Sequence, residues 1–133
     1  MRTWIYNRIT ALPLPAGMAT RVTSSGNADN PVRPFITLAM GPEQPVLGMP
    51  AEAAVQRVPF DVILHDKPGS MLNIDDAAVT IKNSLPTPDG AVVGNMSVYE
   101  CRWDMTSSDG YDDHYGTNTR TVSFILTTHR KVS

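Results

Sequence analysis

The run Val58-Pro59-Phe60-Asp61-Val62-Ile63-Leu64-His65-Asp66-Lys67-Pro68-Gly69-Ser70-Met71-Leu72-Asn73-Ile74-Asp75 contains the change of period on which the fold turns. Val58, Phe60, Val62 and Leu64 repeat every second residue, with Arg57, Asp61 and His65 between them, which predicts a half-buried strand with one wet side. Asp66-Lys67-Pro68-Gly69 reads as a turn. Met71, Ile74, Ala78, Ile81 and Leu85 then recur at steps of three and four, the spacing of one buried helical face. Asn73 or Ser70 is placed to cap that helix. Asp75 and Asp76 fall in its first turn, where negative charge suits the helix dipole. Pro86 and Pro88 close the helix, and Asp89-Gly90 makes the next turn.

Outward from this run the same alternation of patterns continues. Trp4, Ile5, Arg8, Ile9 and Leu12 sit at helical spacing ahead of Pro13, so Thr3 to Leu12 reads as a short amphipathic helix. Between Pro13 and Pro34 the chain is polar, with a brief strand expected over Ala19 to Thr23 and a turn at Ser24-Ser25-Gly26-Asn27. Phe35 to Met40, bounded by Pro34 and Gly41-Pro42, has a strand signature. Gly41 to Pro50 reads as a loop or an irregular hairpin tip. Val98 to Met105 alternates, Tyr99, Cys101, Trp103 and Met105 against Val98, Glu100, Arg102 and Asp104. Thr106 to Gly116 is a polar loop. Thr117 to Thr128 is a last long strand, with Val122, Phe124 and Leu126 inward and Thr121, Ser123 and Thr127 outward. Residues 1–133 are expected to form one α+β domain, a mostly antiparallel sheet of four to five strands with two helices packed on one face.

Composition narrows the function. The 133 residues carry 11 Lys and Arg against 13 Asp and Glu, a net charge of −2, and 18% of them are charged, against roughly 25% in average domains. Such a chain is not built to neutralise many phosphates, so nucleic acid is a poor main partner. Its single cysteine leaves no intrachain disulfide framework. No stretch approaches the ~20 apolar residues of a membrane span, and Asn7, Arg8 and Pro13 break the apolar start, so a cytoplasmic product is expected. The sparse charge raises the question of what covers the surface.

Each chemical candidate has a plainer rival. Cys101 lies on an apolar strand face, where a free thiol is a core residue more often than a nucleophile. Asp104, Asp109, Asp112, Asp113 and His114 lack the spacing of a calcium loop. His65-Asp66 and Asp113-His114 are sequence neighbours, which point to opposite faces on a strand, and His129 stands near the terminus. No nucleophile-elbow, zinc-protease, phosphate-loop or dinucleotide pattern occurs. Neither an enzyme nor a cofactor or metal site is expected. Among the methionines Met40, Met49, Met71, Met96 and Met105, core filling suits Met71 and Met105, and Met49 in its Pro-rich loop is the surface candidate.

The segment Phe60 to Asp75, with its strand, its His65-Asp66 turn, Pro68-Gly69-Ser70 and the helix opened by Ile74-Asp75, resembles tail terminator proteins of long-tailed bacteriophages. The resemblance continues through Trp103, the Ser107-Ser108-Asp109-Gly110-Tyr111-Asp112-Asp113 loop and the strand from Arg120 to Phe124-Ile125-Leu126. The N-terminal helix and the Pro34-Phe35-Ile36 strand also fit. Met71, where the family often has an aromatic residue, and the long polar 13–34 segment depart from it.

The resemblance implies a structural virion protein at the head–tail junction, assembled in the host cytoplasm. It implies a hexameric ring of identical subunits that caps the tail tube, stops its polymerisation and offers a joining surface to the head-side connector. The major tail tube protein and a connector or completion protein are the implied partners. DNA would pass through the lumen without specific binding. Asp109, Asp112 and Asp113 are the expected axial contacts, and Arg57, Arg102 and Arg120 the expected inter-subunit pairs, since arginine suits partly desolvated interfaces. The alternatives are another neck completion protein or, in a different class, a small metal-dependent enzyme or binding module using His65, Asp61 or the 104–114 loop.

Overall fold

Helices lie on one face of a mixed, eight-stranded sheet in the computed structural model, which describes residues 2–24, 31–46, 55–69, 71–86, 91–93 and 96–130. In chain order the elements are α1 (Arg2–Thr10), a 3-10 turn (Pro15–Thr20), β1 (Val22–Ser24), β2 (Phe35–Met40), β3 (Gln44–Pro45), β4 (Val55–Asp66), α2 (Leu72–Ser84), β5 (Ala91–Val93), β6 (Met96–Thr106), β7 (Gly110–Asp112) and β8 (Thr117–Arg130). The sheet order is β1-β2-β4-β8-β6-β5, with β3 added to β4 and β7 to β8. Long antiparallel β4, β8 and β6 form its centre.

The α+β class holds, the expected count of four to five strands is corrected to eight, and the two expected helices are joined by a third, the short 3-10 helix Pro15–Thr20. Three of the strands, β3, β5 and β7, have only two or three residues, too few to show a period in sequence. The strand expected over Ala19 to Thr23 is displaced to Val22–Ser24 because Pro15 opens a 3-10 turn in its place. Arg21 Nη1 pins that turn by donating to the carbonyls of Ala16 and Pro34, both at 3.1 Å. Pairing of β1 with β2 is parallel, which makes the sheet mixed.

The core forms where the two periods meet. Val58, Phe60 and Val62 of β4 stand directly opposite Leu126, Phe124 and Val122 of β8, all buried. The Phe60 and Phe124 rings stack with centroids 5.2 Å apart. Ile36 and Leu38 extend this face through β2, and Ile74, Ala77, Ala78, Ile81 and Leu85 of α2 close over it with Ile5 and Ile9 of α1. Arg8 ties the two helices together. Its Nη2 donates to the carbonyls of Ser84 and Leu85 at 3.0 Å, satisfying acceptors that the end of α2 leaves open.

Local details depart from strict pattern. Met71 is the N-cap of α2 with no side-chain cap bond, and Asn73 instead donates to Asp66 Oδ2 at 3.1 Å. In β6, register shifts at Val98/Glu100 and Trp103/Met105 break the alternation. The first brings both Val98 and Cys101 into the core. The second sets Met105 opposite Ser123, away from the helices and 54% exposed, so its expected core role is wrong. Of the turn expected at Ser24-Ser25-Gly26-Asn27, Ser24 ends β1 and the rest lies outside the described residues, as do the turn at Asp89-Gly90, the cap at Ser70 and the Met49 surface contact. No described helix is long and apolar enough to cross a membrane.

Candidate functional site

The sheet has two unlike faces. Residues facing the helices form the core, and no described helix covers the other side. Cross-strand partners in register share a face, so rows can be read across this second side. Arg57, Thr127 and Glu100 form one row; Pro59, Ile125 and Arg102 the next; Ala39, Asp61 and Ser123 a third; Thr37, Ile63 and Thr121 a fourth. Arg57, Glu100 and Arg102 are exposed, while Asp61, Ile63, Thr121, Ser123 and Ile125 are half-buried by their neighbours. Ser123 Oγ donates to Asp61 Oδ1 at 2.7 Å. The result is a surface of Thr, Ser, Ile and Pro with charges gathered toward the Arg57–Arg102 end. Arg57 and Arg102 therefore share one face, and the register shift at Val98/Glu100 is what parts Arg102 from the buried Val98.

Arg120 occupies the opposite face. It stands across from Leu64 on the helix side of β8, and its guanidinium spans Asp75 of α2 and Asp109 in the 107–109 segment. This clamp fixes the loop before β7 against the first turn of α2. Both Arg120 and Asp109 thus have ion-pair partners within the chain. Asp112 ends β7 and its Oδ1 accepts the backbone N–H of Tyr115 at 3.0 Å, which shapes the 113–116 turn. Asp113 opens that turn and is exposed. The three aspartates lie at one end of the sheet, and Arg57 and Arg102 lie away from them on the open face.

His65 overturns an expectation. Alternation placed it on the wet side with Arg57 and Asp61, yet it is 1% exposed. The cause is a long-range one: the 113–116 turn folds back over this end of the open face. There Phe35 stacks on the imidazole at 4.3 Å, and Tyr115 meets both rings edge-on at 5.1 and 5.3 Å. The two ring nitrogens of His65 bond to the hydroxyls of Thr37 at 2.9 Å and Thr117 at 2.8 Å. Burial lowers its pKa to about 4, against a smaller opposing pull from Asp112. The ring is neutral at pH 7, donating from one nitrogen and accepting at the other. Arg33 Nη2 donates to the Tyr115 carbonyl at 2.6 Å, fastening the turn from outside. No signal in the sequence marked Phe35, Tyr115 or Thr117 as partners of His65, because none is near it along the chain.

Cys101 is buried opposite Leu126, and burial pushes its thiol up to about 12, where it is not a thiolate nucleophile at neutral pH. Among the described residues no three His, Cys, Asp or Glu side chains come together as a metal-holding group. Two shallow grooves flank the helices, one of about 280 Å³ between α1 and β1, lined by Thr3, Tyr6, Val22 and Leu38, and one of about 440 Å³ beside Pro13, Pro15 and Val79. No known protein-family model matches the chain, and no curated protein matches it.

Proposed function

We propose that this chain is a ring-forming virion assembly protein of the tail terminator type, a hexamer that caps the tail tube and presents the head-joining surface. The observation that carries the reading is the inequality of the two sheet faces. One is committed to the helices, and the other is a broad strand surface of Thr, Ser, Ile and Pro that no described helix covers. A subunit of a closed ring needs two different side surfaces that meet on its neighbours, plus two axial surfaces. The sheet face and its Arg57–Arg102 end supply a side surface, with arginine favoured where contacts are partly dry. Asp109, Asp112 and Asp113 at one end of the sheet supply an axial one, with Arg120 and Asp75 holding the loop in place. The 18% charge content agrees with an exterior largely hidden in contacts.

Termination on this reading requires no bond-making. One ring face fits the tube end, and the other refuses a further tube ring. The net charge of −2 suits a lumen through which DNA slides without being held. A neck completion protein would use the same surfaces, and the two are separated by partner: the terminator binds tail-tube ends, the completion protein the head connector. A metal-dependent module is the contrasting class, although His65 and Asp61 are both already bonded to Thr or Ser hydroxyls. The test is complementation of terminator-deficient phage. Charge reversal at Asp113, which is exposed, is expected to abolish tail joining while the protein stays folded; Asp112 is left unchanged because its Oδ1 holds the Tyr115 N–H. Unchanged joining removes the axial assignment.

A further inference from the structure

We propose that the 113–116 turn is an acid-operated latch: a proton on His65 lifts Tyr115 from the sheet and opens the turn while the rest of the fold stays closed. Four contacts hold the turn down, and all meet at one point. Tyr115 packs edge-on against Phe35 and His65, its carbonyl accepts from Arg33, and its N–H is bonded to Asp112 Oδ1. Gly116, at a φ of +65°, lets the chain return to β8. The phenolic oxygen of Tyr115 is buried with no hydrogen-bond partner, so lifting the ring returns that group to water.

His65 makes this closed arrangement depend on charge. Neutral imidazole needs one donor and one acceptor, and two threonine hydroxyls supply both. Protonated imidazole donates from both nitrogens, so both hydroxyls must turn to accept, and the cation sits between two aromatic rings out of water. The other ionisable groups around it do not remove that cost. Asp112 at the end of β7 pulls in favour of the proton but less than burial opposes it. Asp66, next in β4, is turned to the Lys67 N–H and Asn73. Arg33 is given to the Tyr115 carbonyl, Asp113 is exposed, and the exposed His114 meets the Tyr115 ring edge-on at 4.7 Å. From β2 the contacts are Phe35 and Thr37, and from β8 Thr117, none charged. The smallest motion that wets the imidazole is the lift of this turn. The latch does not depend on the chain being a ring subunit.

Amide hydrogen exchange on the intact chain tests it, read as protection relative to the intrinsic rate at each pH. With a pKa of about 4 when closed and an ordinary 6.5 when open, the open population rises roughly twentyfold between pH 7 and about pH 5. The Tyr115 and Gly116 amides, both bonded to Asp112, are expected to lose that much protection. The Phe124 amide should stay more protected than either at every pH. Constant protection at Tyr115 and Gly116, or protection as high as at Phe124, overturns the latch. His65→Gln should remove the pH dependence. If that variant does not fold, Asp112→Asn decides, because its amide oxygen still accepts from Tyr115. A fall that persists in Asp112→Asn supports His65 as the switch, and one that vanishes assigns it to Asp112 and overturns the proposal.

Discussion

Lowering the pH from 7 to about 5 should destabilise the whole fold through His65 alone by a predictable amount. Burial holds the native imidazole at about 4, below the ordinary 6.5. As pH falls through 6.5 the unfolded chain takes up a proton that the native chain refuses until about 4. The unfolded state therefore binds more protons in that window. Stability is full above 6.5, falls between 6.5 and 4, and is flat below. At 1.36 kcal/mol per pH unit the ceiling is about 3 kcal/mol, of which roughly 2 kcal/mol is gone by pH 5. That is a large share of a typical ~5–15 kcal/mol. The assay is urea unfolding at each pH, followed by the fluorescence of Trp4 and Trp103, which are 9% and 37% exposed. Other groups also titrate, so the quantity to read is wild type minus His65→Gln. A difference that changes by less than about 0.5 kcal/mol between the two pH values refutes the reasoning.

Three further outcomes follow from the packing. Phe124→Ala and Phe60→Ala should each cost about 3–5 kcal/mol in urea unfolding, and the double variant should reveal a coupling of about 0.5–1.5 kcal/mol from the stacked pair. Strict additivity would mean that the rings do not sense each other. Cys101, with its thiol pushed up to about 12, should react with a thiol reagent at least a hundredfold more slowly in the native chain than in urea, on the order expected for a buried thiol. Breaking the clamp with Arg120→Ala should cost only about 0.5–1 kcal/mol, because Asp75 and Asp109 are half exposed, and the cost should shrink as salt is raised from low to molar concentration.

What could be read along the chain was what depends on near neighbours. Val58 to Leu64 and Ile74 to Leu85 carry their periods openly, because each residue's face is set by the residue two, three or four positions away. The same holds for Val122, Phe124 and Leu126. His65 was misplaced for the opposite reason. Its burial is made by Tyr115 and Thr117, about fifty residues on, and a two-residue period carries no information about a turn folding over one end of the sheet. Met105 was misplaced because a bulge moves a side chain to the other face with no mark in the sequence. Among the candidate site residues, the exposure of Arg57 and Arg102 follows from alternation, whereas their shared face depends on the register shift at Val98/Glu100, which the sequence does not mark. The engagement of Arg120 with Asp75 and Asp109 was not legible either, since the three meet only when α2 and the 107–109 segment are brought together.

The central claim is assembly into a closed ring, and multi-angle light scattering over a wide concentration range tests it most directly, with a chelator-treated sample alongside. A closed ring predicts self-association toward six copies of the 14.5 kDa chain, unaffected by the chelator. A particle that stays at 14.5 kDa at every concentration, or one whose stability collapses on chelation, would contradict it.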